Sequence, residues 1–229
     1  MKNNKVRVKL FKLLKEKASL KQDIFHNTVK TFSEFKSTLK NLATELSKEV
    51  TAKDKRVLIE FKDRDPHQCE LRVAGDLLIF YMHTNVFEFD KSHPIWKSSY
   101  VKEDETRSYC GMIMIYNFLS DSFKYNRTAD VGYLVGRIFI NKDLHFYVDG
   151  KKQLGFLHND FVSSKIGSAE ITSIIESAIL YCLEFDLFTP PFDTLKEVTV
   201  NEILEASNAM QIKTGKRLGF RFQAEDLGD

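Results

Sequence analysis

The first 65 residues of this 229-residue chain contain neither glycine nor proline; all ten glycines and all four prolines lie from Pro66 onward. These two residue types interrupt regular structure most often, so their absence lets a long helix run on. Cysteine is scarce as well. Cys69, Cys110 and Cys182 are odd in number and scattered, which argues against a disulfide framework and for a reducing, cytoplasmic compartment. Apolar runs are short: the stretch 77–82 has six residues, far fewer than a bilayer crossing needs. Lysines interrupt the apolar residues near the N-terminus, which excludes an ordinary signal-peptide core. There is no Gly-x-Gly-x-x-Gly and no phosphate loop, so nucleotide binding has no local support and no cofactor is expected. His67, Cys69, His83 and His93 cluster in sequence without a Cys-x-x-Cys or His-x-x-x-His pair, so no metal site is expected either.

What is present is a globular composition, 43% hydrophobic and 29% charged, suited to one domain or one domain with an arm. Nineteen phenylalanines and eight tyrosines against a single tryptophan promise a thick aromatic core. Charge is polarised along the chain. Residues 1–50 hold twelve Lys/Arg against five Asp/Glu, a net of +7, and residues 160–229 hold six against twelve, a net of −6.

From residue 25 to 50, Phe25, Val29, Phe32, Phe35, Leu39, Leu42, Leu46 and Val50 recur in steps of three and four, one stripe of a helix. Thr31 and Glu34 have capping-box spacing, so a restart is expected there. Before it, Val6, Val8 and Leu10 alternate like a strand, whereas Leu10, Leu13, Leu14 and Leu20 fit a helix, which is expected from about residue 10. Short strands are expected at 56–62 and 69–74, a tight turn at Gly75-Asp76, and a long strand over 76–90 whose first half is apolar on both faces and therefore central. A polar loop over 91–108 carries Trp96, and 111–123 fits strand or helix equally. Strands at 133–140, 144–148 and 153–157 complete a meander. The segment 168–185 reads as a helix capped by Ser168, with Ile171, Ile174, Ile175, Ala178, Ile179 and Leu183 on one face; a helix at 200–210 and an edge strand at 217–222 follow.

The basic arm is the first candidate site. Lys5, Lys9, Lys12, Lys15, Lys17 and Lys21 can line one side of a helix whose other side is leucine. Such a surface attracts phosphate backbones or acidic proteins, and eleven lysines against one arginine in residues 1–50 favour diffuse attraction over bidentate recognition. The competing reading packs this face on the chain's own acidic C-terminal region. A second candidate is the polar, aromatic stretch containing Asp121, Lys124, Tyr125 and Arg127; with Trp96 it would form recognition loops. Glu60-Phe61-Lys62 is half of an acid–x–Lys nuclease pattern, or else simply a solvent face of a strand.

Cys110, His145 and Asp160 occur in an order and rough spacing that resembles cysteine hydrolases of the papain–transglutaminase type. The resemblance covers about fifty residues and rests on these three positions. It implies a thiolate nucleophile at Cys110, a base at His145 and an orienting carboxylate at Asp160.

The expectation is an α+β fold: a largely antiparallel meander sheet (55–161) covered by N-terminal and C-terminal helices, with a basic helical arm (1–52) and an α+β body (53–229). The expected function is that of a non-catalytic cytoplasmic binding or adaptor protein engaging an acidic macromolecular partner through Lys9, Lys12, Lys15, Lys17 and the aromatic loops. A nucleic-acid-binding protein and a cysteine hydrolase are the alternatives.

Overall fold

The computed structural model describes residues 2–185, 189 and 191–201. With nothing to stop it, the N-terminal segment forms a continuous helix. α1 (Lys2–Leu13) passes through a π turn at Leu14–Ala18 into α2 (Ser19–Lys53). At 1.5 Å per residue the whole rod is about 78 Å long. The helix therefore starts near residue 2, not 10. The alternation of Val6, Val8 and Leu10 finds no partner strand, and lysine, leucine and arginine are good helix formers. Nor does the helix restart at Thr31 and Glu34; Thr31 is buried in its uninterrupted interior.

Seven antiparallel strands make one sheet: β1 (Ile59–Asp65), β2 (Gln68–Val73), β3 (Asp76–Met82), β4 (Phe87–Glu88), β5 (Tyr109–Leu119), β6 (Tyr133–Asn141) and β7 (Phe146–Gly150). The order is β1-β2-β3-β5-β6-β7, with β4 pairing to β5 beyond the end of β3. This is the antiparallel α+β architecture the pattern calls for. The β2–β3 hairpin turns through Ala74, at φ 53°, and Gly75, so that Val73 pairs with Asp76. The single strand expected over 76–90 is two strands, because the chain leaves the sheet after Met82 and rejoins it at Phe87. The ambiguous segment 111–123 resolves into β5 and the short helix α4 (Ser120–Lys124); the loop 91–108 holds α3 (Ser99–Glu103) between two 3-10 turns.

The expected strand at 153–157 is instead the helix α5 (Gln153–Leu157). Gly136 and Gly150 are register partners on β6 and β7, and together they leave a notch. A Cβ at either would lie 2.5 or 2.8 Å from Leu154 Cδ2. Leu154 fills that notch and is buried, so tertiary packing overrides the local alternation.

α6 (Ser168–Leu183) then crosses the same sheet face as α2. Its N-cap is Gly167, not Ser168, and Leu183 is exposed; Cys182 closes the buried face in its stead. A short helix, α7 (Phe192–Leu195), follows. The helix and strand expected at 200–210 and 217–222 fall outside the described residues, save positions 200 and 201.

Two cores flank the sheet. The larger packs Phe32, Phe35 and Leu39 of α2 and Ile171, Ile174 and Ile175 of α6 against Leu71, Phe80, Ile113 and Ile138. The smaller, on the opposite face, gathers Ile95, Val101, Cys110, Met112, Phe139 and Phe161 under the 87–108 segment. β3 is apolar on both faces: Leu78, Phe80 and Met82 enter the larger core, Tyr81 packs against the smaller one, and Leu77 and Ile79 are buried as well. α2 comes close to β5 at Gly111, where a Cβ would lie 1.9 Å from Thr28 Oγ1. That approach fixes the line along which the rod leaves the sheet.

Candidate interaction surface

The N-terminal part of the rod stands clear of the sheet. Every residue from 4 to 19 is exposed, and burial begins only at Leu20 and Lys21. The apolar side chains are as open as the charged ones: Leu10 is 51% and Leu13 49% exposed, against 0% for Ile24 and Phe35 on the same rod. The π turn marks the change. A π turn adds a residue to the helical repeat, so it rotates the side-chain pattern before it out of phase with the pattern after it.

At the end of the π turn the rod is latched to the sheet. Lys17 Nζ sits 5.2 Å from the ring centroid of Tyr109, and its hydrogen bond with Tyr109 raises the ammonium's pKa above its ordinary value. Above this latch, Lys5, Lys9, Lys12 and Lys15 form no ion pair with any described carboxylate. Some lysines of the packed part of the molecule are paired, while others there, such as Lys30, Lys40 and Lys48, form no ion pair with a described carboxylate. Lys36 Nζ lies 2.5 Å from Asp63 Oδ1 and donates to Asp65 O as well, and Lys142 is paired with Asp104.

A shallow groove of about 470 Å³ follows the exposed helix between Val6, Leu10, Leu13, Leu14 and the stems of Lys17 and Lys21. A second cleft, of about 540 Å³, lies between Lys21 and Phe25 on the rod and Thr84, Asn85, Val86 and Phe87 on the body. Lys21 lines both. The leucines were expected to be covered, and their openness is what sequence reasoning missed. The usable signal was there: cations interrupt the apolar pattern of residues 5–21, whereas the stripe that enters the core is nearly free of them.

The aromatic loops are engaged internally. Trp96 Nε1 donates to Phe89 O at 3.1 Å, and Lys91 Nζ covers the indole face 3.2 Å from its centroid. Arg127 is buried. Its Nη2 donates to Ser122 Oγ at 3.2 Å, and its Nε lies 2.7 Å from Asp130 Oδ2 at an angle too bent for a hydrogen bond. Arg127 thus clamps its own loop. Asp121 and Lys124 face solvent, and the Lys124 ammonium rests 4.9 Å from the ring centroid of half-buried Tyr125.

Cys110, His145 and Asp160 have separate partners, and no hydrogen bond joins any two of them. Cys110 lies on β5 between β4 and β6, 1% exposed, and burial pushes its thiol well above the ordinary range. His145 Nδ1 is 3.0 Å from Phe161 O, and its ring stacks on Tyr100 with centroids 4.5 Å apart. Asp160 accepts from the backbone N–H groups of Val162 and Ser163, which closes a turn. Glu60 and Lys62 are exposed on the edge strand β1. Cys69 is buried, its thiol pushed up to about 12 by desolvation, while the Nδ1 atoms of His83 and His93 accept from Asn85 N and Ile95 N. Among the described residues no three His, Cys, Asp or Glu side chains are grouped to hold a metal ion. Among them, too, no helix is long and apolar enough to cross a membrane.

Comparison with protein-family models, with curated proteins and with solved structures finds no match to this chain.

Proposed function

We propose that this chain is a non-catalytic binding or adaptor protein that captures an acidic macromolecular partner, most simply a protein, on its N-terminal helix. The observation that carries the reading is the projection of residues 4–19 from the sheet with Lys5, Lys9, Lys12 and Lys15 unpaired among the described residues. Long-range attraction between these lysines and a partner's carboxylates would speed encounter, and the open leucines would hold the complex once formed. The even spread of lysine, with Arg7 the one arginine of the segment, suits an acidic protein surface better than base-specific nucleic-acid contact. The reducing compartment suggested by three free, buried cysteines fits an intracellular role.

The test is affinity purification of the tagged chain from its native cell, with and without nuclease, beside a Lys9→Gln, Lys12→Gln, Lys15→Gln variant. A protein partner that survives nuclease, is lost from the variant and elutes as salt rises supports the reading. Capture that is unchanged by the triple substitution overturns it. A catch released by nuclease transfers the surface to nucleic acid.

A further inference from the structure

We infer that the partner presents an acidic amphipathic α-helix, laid side by side along the groove from Val6 to the cleft at Phe25 and Val86. The inference rests on the reading above and specifies the shape of what is bound.

Three observations select a helix. Val6, Leu10 and Leu13, all ahead of the π turn, recur in steps of four and three, the spacing of a seam between two helices. Cations stand among these apolar side chains: Lys9, Lys17 and Lys21 line the groove itself, and Arg7 neighbours Val6 in sequence. A helix that lies in a membrane surface keeps its cations off the apolar face. Finally, Lys21 lines both this groove and the cleft between Phe25 and residues 84–87. From Val6 to Phe25 the path is about 28 Å, the length of a partner helix of about 19 residues.

Charge selects the sign. Residues 2–21 hold eight Lys/Arg and one acidic residue, Glu16. Positions flanking a helical seam set partner choice through their charges. A second copy of this arm would bring Arg7 and Lys9 against the same cations, a repulsion that disfavours self-pairing. Glutamates flanking an apolar seam on the partner would meet Lys9 and Lys21 instead. Val8 and Phe11 lie off the seam and take no part in it.

The probe is a synthetic three-heptad peptide with leucine along its seam and glutamate at the flanking positions, titrated into the full chain at low salt. Three controls accompany it: the same peptide with lysine at the flanks, an unstructured polyglutamate of equal charge, and vesicles of phosphatidylcholine with and without phosphatidylserine. The glutamate heptad peptide is expected to bind, gaining helicity, about tenfold or more tighter than polyglutamate. Leu10→Asp with Leu13→Asp, on a segment the core does not use, should remove that advantage and leave the thermal transition unmoved. The lysine peptide should not bind, and the chain alone should sediment as one species at all concentrations. Equal affinity for the heptad peptide and polyglutamate overturns the helical partner while leaving an acidic one standing. Binding to neither removes both readings. Binding to phosphatidylserine vesicles but not to the peptide assigns the face to a membrane surface, and self-association abolished by the leucine substitutions assigns it to a second copy; either overturns the inference.

Discussion

Leu10 and Phe35 lie on one continuous helix, each in an apolar stripe of helical spacing, yet Phe35 is 0% exposed and Leu10 is 51% exposed. Local propensity cannot separate them, since both are helical in the same rod. What separates them is a partner surface. The stripe after the π turn meets Phe80, Leu78 and Ile113 on the sheet and Ile175 on α6, whereas the stripe before it meets solvent. The same hydrophobic pattern is thus a folding device at one end of the rod and an open face at the other, the face proposed above for partner binding. Its cations differ less: Lys36 on the packed part is tied to Asp63, but Lys30, Lys40 and Lys48 there form no ion pair with a described carboxylate either, so what sets the projecting lysines apart is their number.

The contrast can be broken most forcibly from the buried end. Phe35→Ala should destabilise the chain by about 3–5 kcal/mol in chemical denaturation, because it leaves a large cavity among fully buried side chains. Leu10→Ala, the matching change in the arm, should stay within about 0.5 kcal/mol of the parent. Comparable losses from the two would mean that the arm is packed in solution.

A slightly smaller effect belongs to the close approach of rod and sheet. Gly111→Ala would set a Cβ 1.9 Å from Thr28 Oγ1 and 2.8 Å from Thr28 Cβ. The overpacking should cost about 1–3 kcal/mol. Thr28→Ala removes the hydroxyl but keeps its Cβ, so a double-mutant cycle should show partial, not full, rescue. Additive losses would show that α2 and β5 are farther apart than the structure places them.

Acid sharpens the comparison further. Burial holds His158 below its ordinary value of 6.5, against the opposing pull of Glu170. The unfolded chain therefore takes up the proton first as pH falls, and stability should decline as pH drops below about 6.5. A His158→Gln chain should show a flatter melting profile over that range. Because the arm contributes no such buried base, the Leu10→Asp, Leu13→Asp chain should keep the parent's profile. An unchanged profile in the His158 variant would place the acid sensitivity elsewhere.

The smallest expected effect concerns Cys110. Its thiol is covered and its ionisation suppressed by burial, so alkylation at neutral pH should be slow in the folded chain and fast after unfolding. Rapid labelling of the native protein would revive the hydrolase reading and detach Cys110 from the smaller core.

Much of the fold was legible in residue order. The long helix follows from 65 residues without a glycine or proline, the meander from alternating segments separated by turn residues, and the central place of β3 from apolar side chains on both faces. Periodicity carries that information because it depends only on which side of an element meets water. The strand expected at 153–157 failed for a complementary reason: its shape is set by a notch between Gly136 and Gly150 that exists only when β6 and β7 are paired. Of the candidate sites, the position and sign of the arm's charge were readable. The internal engagement of Trp96 with Phe89 and of Arg127 with Asp130 was not.

Sequence alone determined that residues from about 10 to 50 are helical with apolar residues at regular intervals and that the first part of the chain is cationic, since both follow from local chemistry and short-range spacing; that the helix reaches back to residue 2 without a restart was seen only in the structure. Only the tertiary structure decided which stretch of that apolar pattern is covered. The sheet is shorter than the rod, its reach ends near the Lys17–Tyr109 latch, and side chains beyond that point have no surface of their own chain, among the described residues, to bury against.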